Sequence, residues 1–350
     1  MSIVEVARLA GVTHGTVSRF INRRGSVAEE TAQRIRLAMA ELGYQPKSRE
    51  QRRGKTARPA GLRTGNVCLL LVGAPREVLD RPGISTTVAT IEAELRSRGL
   101  SLFLAQSVDL KDMPPCVSRG KVEGLLLAGE AAGSLPKAYR SLPSVWCLSS
   151  HTQTQEWADH VLPDNDRIGA LAAEHLAARG LRRVAFYNEQ ACHPGFALRE
   201  AAFLSVARKL GMDCHSFVAE RRDDGPVWGF GASPHGPQLV ERLLAAHPRP
   251  QAVFVPTDEQ VLRLYPLLMR HSLVPGRDLV ILSCDHQEVW LRQLEPRPAS
   301  IDLNFELIGR RAVEQLVSRI EHPEQSPGTR ILVPPKPLAA ALEAPAAPES

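Results

Sequence analysis

No run of eighteen apolar residues occurs anywhere in the 350-residue chain, which excludes a helix long enough to cross a bilayer. Cysteine is scarce and unpaired in pattern: Cys68, Cys116, Cys147, Cys192, Cys214 and Cys284 include no C-x-x-C. That spacing excludes a zinc or disulfide framework. Cys68, Cys116, Cys147 and Cys284 lie in or beside apolar segments and read as buried, reduced thiols of a cytoplasmic protein. No nucleophile elbow, phosphate-binding loop or zinc motif is present, and His175, His193, His215 and His235 are scattered. Neither an enzyme centre nor a metal or other cofactor is therefore expected. The first residues already carry charge at Glu5 and Arg8 and lack a long apolar core, so no secretory leader is expected.

What is present is enough apolar material for a core, 43% of residues, and enough length for two or three domains. The net charge of +5 hides an asymmetry. Residues 1–65 hold 13 Lys and Arg against 5 Asp and Glu, while the remainder holds 30 against 33. A basic block on a mildly acidic body points to a polyanionic partner for that block alone.

That block begins with a helical pattern over residues 3–10, where Ile3, Val6, Ala7 and Ala10 share one face. Gly11 ends it, and Thr13 is placed to cap a second helix. The second helix buries Val17 with Phe20 or Ile21 and exposes His14, Gly15, Ser18, Arg19 and Asn22, short or polar groups suited to base edges and phosphates. A third helix over 28–42 has Ala28, Ala32, Ile35, Met39 and Leu42 as its inner face. Two helices joined by a Gly turn and braced by a third form a helix-turn-helix headpiece, residues 1–46.

Val6-Ala7, Ala10-Gly11-Val12, Thr16-Val17-Ser18-Arg19, Asn22, Val27, Thr31 and Glu41-Leu42-Gly43-Tyr44-Gln45-Pro46 together resemble the headpiece of the lactose-repressor (LacI/GalR) family of bacterial transcription regulators. The resemblance implies that Thr13, His14, Gly15, Ser18 and Arg19 approach the major groove and that Thr16 and Asn22 touch phosphates. It also implies a hinge helix whose leucine wedges into the minor groove. The nearest match is Leu62, farther from Pro46 than the family pattern places it, so residues 47–59 read as an insertion within a basic linker, 47–65.

From residue 66 onward strands and helices alternate. Apolar or amphipathic strands are expected at 67–72, 100–105, 122–128, 144–148, 183–187, 252–255 and 279–283. Helices are expected at 88–98, 167–179, 197–210, 239–246 and 261–268. This is the pattern of doubly wound parallel sheets, with too many units for one small sheet, so the body over 66–338 is expected to form two lobes. A Pro/Ala-rich tail, 339–350, follows without leucine heptads, so no tetramerising coiled coil is expected.

The body also resembles that family, whose effector domain shares the two-lobed fold of periplasmic sugar-binding proteins. The matches are Asp164-Asn165, Ala172-Ala173-Glu174-His175-Leu176, Gly180-Leu181-Arg182-Arg183-Val184-Ala185, Arg199 before Phe203, Asp258, Asp285, Pro298-Ala299-Ser300-Ile301 and Phe305 with Ile308-Gly309. The resemblance implies lobe crossings near 160, 290 and 320 or later, with a ligand in the cleft at strand C-terminal ends. Arg199 with Asp285 is suited to gripping vicinal hydroxyls by charge-assisted hydrogen bonds. Asp164 and Asp258 serve either as ligand contacts or as helix caps, Trp228 either stacks on a sugar face or packs a loop, and Phe305 either lines the cleft floor or lobe junction or belongs to the core.

The expectation is a cytoplasmic, nucleoid-associated homodimer that binds a pseudo-palindromic double-stranded DNA operator as a repressor. Its small-molecule effector is expected to be a carbohydrate, with no membrane partner. A transporter's solute-binding protein, or an enzyme on the same sheet, is the alternative that the body alone would allow.

Overall fold

The computed structural model describes residues 3–22, 27–44, 63–107, 113–129, 136–149, 157–220 and 234–336, which leaves Leu62 and Trp228 outside the described residues. Two units separate, Met1–Ala57 and Arg58–Ser350.

In the first unit, small apolar side chains let three short helices approach closely. Helices α1 (Ile3–Leu9), α2 (His14–Asn22) and α3 (Glu29–Glu41) surround Val6, Ala7, Ala10, Val17, Ile35 and Ala38. Gly11 turns the chain after α1 with φ +64, a conformation in which a side chain would be strained. The Arg34 fork from α3 then donates to the Ala10 carbonyl from Nε at 3.0 Å and Nη2 at 2.6 Å, and to the Gly11 carbonyl at 3.0 Å. A cation thus satisfies carbonyls that the end of α1 leaves without helical partners. The inner face of α3 is Ala32, Ile35 and Ala38. Ala28 is the exposed N-cap residue instead, because the helix begins one residue beyond it, and Met39 and Leu42 are only half-buried.

The second unit carries two parallel sheets. The first lobe contains β1 (Asn66–Val72), β2 (Ser101–Ser107), β3 (Gly124–Gly129), β4 (Ser144–Ser149), β5 (Asp159–Pro163) and β11 (Arg330–Val333), in the order β11-β5-β4-β3-β1-β2. The second contains β6 (Arg183–Asn188), β7 (Asp213–Val218), β8 (Ala252–Phe254), β9 (Val280–Cys284) and β10 (Ala299–Ile301), in the order β10-β9-β8-β6-β7. β1 shows why: its run Val67 to Val72 is buried on both faces, as a central parallel strand requires. Leu69 and Leu71 pack with the helices Pro82–Ser97 and Phe305–Glu321, while Cys68 and Leu70 face Trp146 and Tyr139 on the other side.

Four strands were not expected from the sequence: β5, β7, β10 and β11. β7, β10 and β11 are sheet edges, and β10 and β11 are very short, so apolar periodicity is weak in them. The chain leaves the first lobe between β5 and the helix Asn165–Ala178 and returns between β10 and the helix Phe305–Glu321. The return lies at 302–304 rather than near 290, because β10 adds a strand to the second sheet before the chain leaves it. A third segment, 334–336, runs beside that crossing, where Lys336 N donates to the Asp302 carbonyl at 2.8 Å. The cleft between the lobes is therefore backed by chain crossings and faced by strand C-terminal ends.

Candidate functional site

Two surfaces bring together residues that could do chemistry, and each is built by a specific local device. On the headpiece, Thr13 caps α2: its Oγ1 accepts from Thr16 N at 3.3 Å and lies 2.9 Å from the Thr16 hydroxyl. Burial of Val17 fixes the rotation of the helix, which leaves His14, Gly15 and Arg19 exposed and Thr16 and Ser18 half-buried on one side. Among the described residues, Arg19 Nε donates to the carbonyl of Gly15 in its own helix, at 3.4 Å. Asn22 is the last residue of α2, with its side chain outside the described residues.

Within the second unit a chamber of about 120 Å³ opens between the lobes. Its charged pair is Arg199 and Asp285. Arg199 belongs to the helix Pro194–Lys209 and is 3% exposed. Its Nε donates to Asn165 Oδ1 at 2.9 Å, its Nη1 donates to the Pro256 carbonyl, and the guanidinium sits 5.3 Å from the Phe196 ring centre. Asp285 follows β9 with φ +99 and is followed by His286 at φ +55, so two non-glycine residues hold left-handed backbone at the strand end. Such conformations persist where the surroundings enforce them, and here they turn the Asp285 carboxylate into the chamber. Thr257 Oγ1 donates to Asp285 Oδ2 at 2.7 Å, while Arg199 Nη1 stays 3.7 Å from Oδ1. Burial pushes the Asp285 carboxyl up from its ordinary value, and the Arg199 charge and the Thr257 hydroxyl pull it back.

Aromatic faces complete the walls: Phe196, Trp290 and Phe305 line the chamber together with His193. His193 stacks on Phe196 with ring centres 3.7 Å apart, and its Nδ1 accepts from Phe196 N at 3.2 Å. Burial, then the nearby Arg199 and Arg81 charges, push its imidazole down to about 3. It is therefore neutral at physiological pH, as an accepting Nδ1 requires. Across the cleft, Arg81 of the first lobe meets Glu259 of the second at 3.1 Å. Glu259 also pairs with Arg263 at 2.8 Å, and Arg263 with the buried Glu189 at 2.8 Å.

The sequence-derived candidates divide. Arg199, Asp285 and Phe305 line the chamber. Asp164 and Asp258 do not. Asp164 caps the helix Asn165–Ala178 by accepting from Arg167 N at 2.9 Å. Asp258 is fully buried behind the chamber, accepting from the hydroxyls of Ser283 and Ser300 and from Gln287 N at 2.6 Å. It ties the start of its helix to β9, β10 and the loop bearing Asp285, so it acts on the chamber only through that loop. Burial, then the neighbouring Asp285 charge, push its carboxyl up, against those three donors.

Sequence reasoning missed Phe196, Trp290, Arg81, Glu259 and Gln287. Trp290 stands five residues past Asp285 and Phe196 three before Arg199, so both could have been flagged by proximity. Residues 74–85 contain no aromatic residue and supply Arg81 instead.

Residues 2–47 match the bacterial regulatory proteins of the lacI family, and residues 173–339 match the periplasmic binding protein-like domain. The chain thus joins a lacI-type regulatory domain to a periplasmic-binding-protein-like domain. Curated relatives run along nearly its whole length: the ribose operon repressor of Escherichia coli (strain K12) is 26% identical over 334 residues, 91% of this chain and 93% of the relative. Among solved structures, the transcriptional regulator CelR in complex with cellobiose superposes with a TM-score of 0.62 at 24% identity, covering 96% of this chain and 98% of that one. The lac repressor dimer bound to operator and the anti-inducer ONPF gives 0.61 at 20%, covering 97% and 98%. The protein is thus a DNA-binding transcription regulator with a lacI-type headpiece. Its helix-turn-helix is the DNA-binding part, and its two sheets form the periplasmic-binding-protein-like body. No helix among the described residues is long and apolar enough to cross a membrane.

Proposed function

We propose that the protein is a cytoplasmic homodimeric repressor, without enzymatic activity, that releases or grips a pseudo-palindromic operator according to a sugar held between its lobes. One observation carries the effector half of this reading. A buried Arg199 and a half-buried Asp285, each anchored by other groups and kept 3.7 Å apart, share a chamber with Phe196, Trp290 and Phe305. Charged groups held apart offer charge-assisted hydrogen bonds to vicinal hydroxyls, and aromatic rings cover the apolar face of a pyranose or furanose. The relatives named above as a ribose operon repressor and a cellobiose complex support the class.

On the DNA side, His14, Gly15, Ser18 and Arg19 approach base edges beside the cap residue Thr13, with Thr16 and Asn22 at the phosphates and Leu62 in the minor groove. Two headpieces per dimer then demand two half-sites. The ligand acts through lobe closure, because Arg199 and Asp285 belong to the second lobe while Phe305 and Arg81 approach from the crossing and the first lobe. A ligand that contacts both lobes stabilises one closure state and so shifts the population of the DNA-competent form. The test is selection of bound fragments from the source genome, followed by operator titration with and without candidate sugars. A palindromic site whose affinity changes at least fivefold with one sugar supports the reading; binding that ignores both sequence and every sugar tested overturns it.

A further inference from the structure

Cys68 and Cys116 are 48 positions apart in the chain, yet Cys116 Sγ donates to Cys68 Sγ across 4.0 Å. Cys68 is fully buried in β1, which pairs with β2 on one side and β3 on the other. It belongs to the apolar layer of Leu70, Val117, Tyr139 and Trp146. Cys116 packs against that layer from the helix Pro115–Ser118 and is only half-buried. That helix is four residues long, its N-cap residue Pro114 makes no side-chain cap hydrogen bond, and Gly120 turns the chain just beyond it with φ +61. One sulfur is therefore shielded and fixed by a sheet, while the other rides on a short element partly open to solvent. Burial, then the neighbouring Cys116, push the Cys68 thiol up, so it rests protonated. Cys147 and Cys284 are fully buried, and Cys192 and Cys214 are half-buried.

We propose that Cys68 and Cys116 form an oxidation site in the first lobe, which a hydroperoxide closes to a reversible disulfide. A redox-responsive cysteine needs access to solvent and a resolving thiol beside it, and this pair divides the two roles. Cys116 reacts first. Its sulfur attacks the terminal peroxide oxygen, the O–O bond breaks, and the departing oxygen takes the Cys116 proton, which leaves a sulfenic acid. Cys68 Sγ then attacks Cys116 Sγ, the S–O bond breaks, and hydroxide departs with the Cys68 proton as water. The two thiols lose two electrons in total, and the peroxide gains them. A disulfide holds its sulfurs about 2.05 Å apart, so the two must approach by about 2 Å. Pairing on both sides of β1 holds Cys68 in place, so the Cys116 side chain and its short helix supply the movement. Thiols that rest reduced and join only under oxidation are the form that disulfides take in a reducing compartment. A dithiol reductant reverses the bond by exchange.

The experiment treats the reduced full-length protein with hydrogen peroxide, then counts thiols after denaturation and maps the peptides by mass. Two of the six thiols should disappear together, the peptides carrying Cys68 and Cys116 should be found joined with the loss of two hydrogens, and dithiothreitol should restore both. Cys116→Ser should slow thiol loss by about tenfold or more. Cys68→Ala should stop the reaction at a Cys116 sulfenic acid that dimedone labels. The half-buried Cys116 position keeps the test informative should the core variant fold poorly. Thiol loss that Cys116→Ser leaves unchanged, a cross-link joining other cysteines instead, or six thiols that survive peroxide sufficient to oxidise free cysteine overturns the proposal.

Discussion

Two arginine–aspartate pairs in the body, one buried and one opening onto the cleft, behave in opposite ways. In the first lobe, Arg319 grips Asp159 at two points, Nε to Oδ2 at 2.8 Å and Nη2 to Oδ1 at 2.9 Å. Everything around them is filled. Asp159 also accepts from Gln315 Nε2 at 2.8 Å and from the backbone of Gly328 and Thr329 at 2.9 Å, and Arg319 donates onward to the carbonyls of Gln325 and Ser326. In the cleft, Arg199 and Asp285 approach no closer than 3.7 Å, because Asn165, Pro256 and Thr257 hold each of them elsewhere. A pair that saturates itself can only hold structure. A pair that the scaffold keeps apart retains hydrogen-bonding capacity for something else. The headpiece repeats the contrast: Arg34 reaches across to two carbonyls at the end of α1, whereas Arg19, among the described residues, donates within its own helix.

The largest effect should come from the saturated pair. Asp159→Asn leaves Arg319 buried with its partner's charge gone and should cost about 3–5 kcal/mol of stability, read from urea unfolding. A loss below about 1 kcal/mol would erase the contrast between the two pairs. The same site predicts a pH limb. Burial alone would raise the Asp159 carboxyl, but the hydrogen bonds from Arg319, Gln315 and Thr329 N hold it below its ordinary value. Its stabilisation is therefore complete above the unfolded value, near about 4, and fades as pH falls through the lower folded value. Unfolding curves of the wild type should show that acid limb and those of Asp159→Asn should show less of it.

The open pair should respond in binding instead. Asp285→Asn should weaken sugar binding tenfold or more, about 1.4 kcal/mol, while unfolding stability shifts by less than that. A protein that loses stability as Asp159→Asn does, with sugar affinity intact, would reverse the assignment. In the headpiece, Arg19→Ala should weaken operator binding by roughly 1–3 kcal/mol without altering sugar affinity, measured by anisotropy and calorimetry. Thr13→Ala should be the smallest change, about 1 kcal/mol from loss of the N-cap, visible as helix fraying in the headpiece.

The same contrast explains what could be read in advance. β1 was legible because its apolar run is uninterrupted, and α1 and α2 because Gly11 and Thr13 punctuate an amphipathic pattern. Arg199 and Asp285 were legible as polar groups near strand ends. The Arg319–Asp159 pair was not, since 160 residues separate its members and each sits in an ordinary-looking segment. Trp290 and Gln287 were missed because the helix carrying them, Glu288–Leu291 with its N-cap Gln287, is too short to show periodicity, and its placement depends on the left-handed backbone at Asp285 and His286. Asp258 misled for a physical reason: a carboxylate after a strand looks alike whether it faces the cleft or is turned inward onto Ser283 and Ser300.

The most direct measurement is operator affinity of the wild type and of Asp285→Asn, titrated with the tightest-binding sugar on a genomic fragment selected by the protein itself. The account predicts that the sugar shifts wild-type affinity by fivefold or more, and that the variant binds DNA equally well without sugar but needs at least tenfold more of it for the same shift. A wild type whose operator affinity ignores the sugar, or a variant that responds at the wild-type concentration, would contradict it.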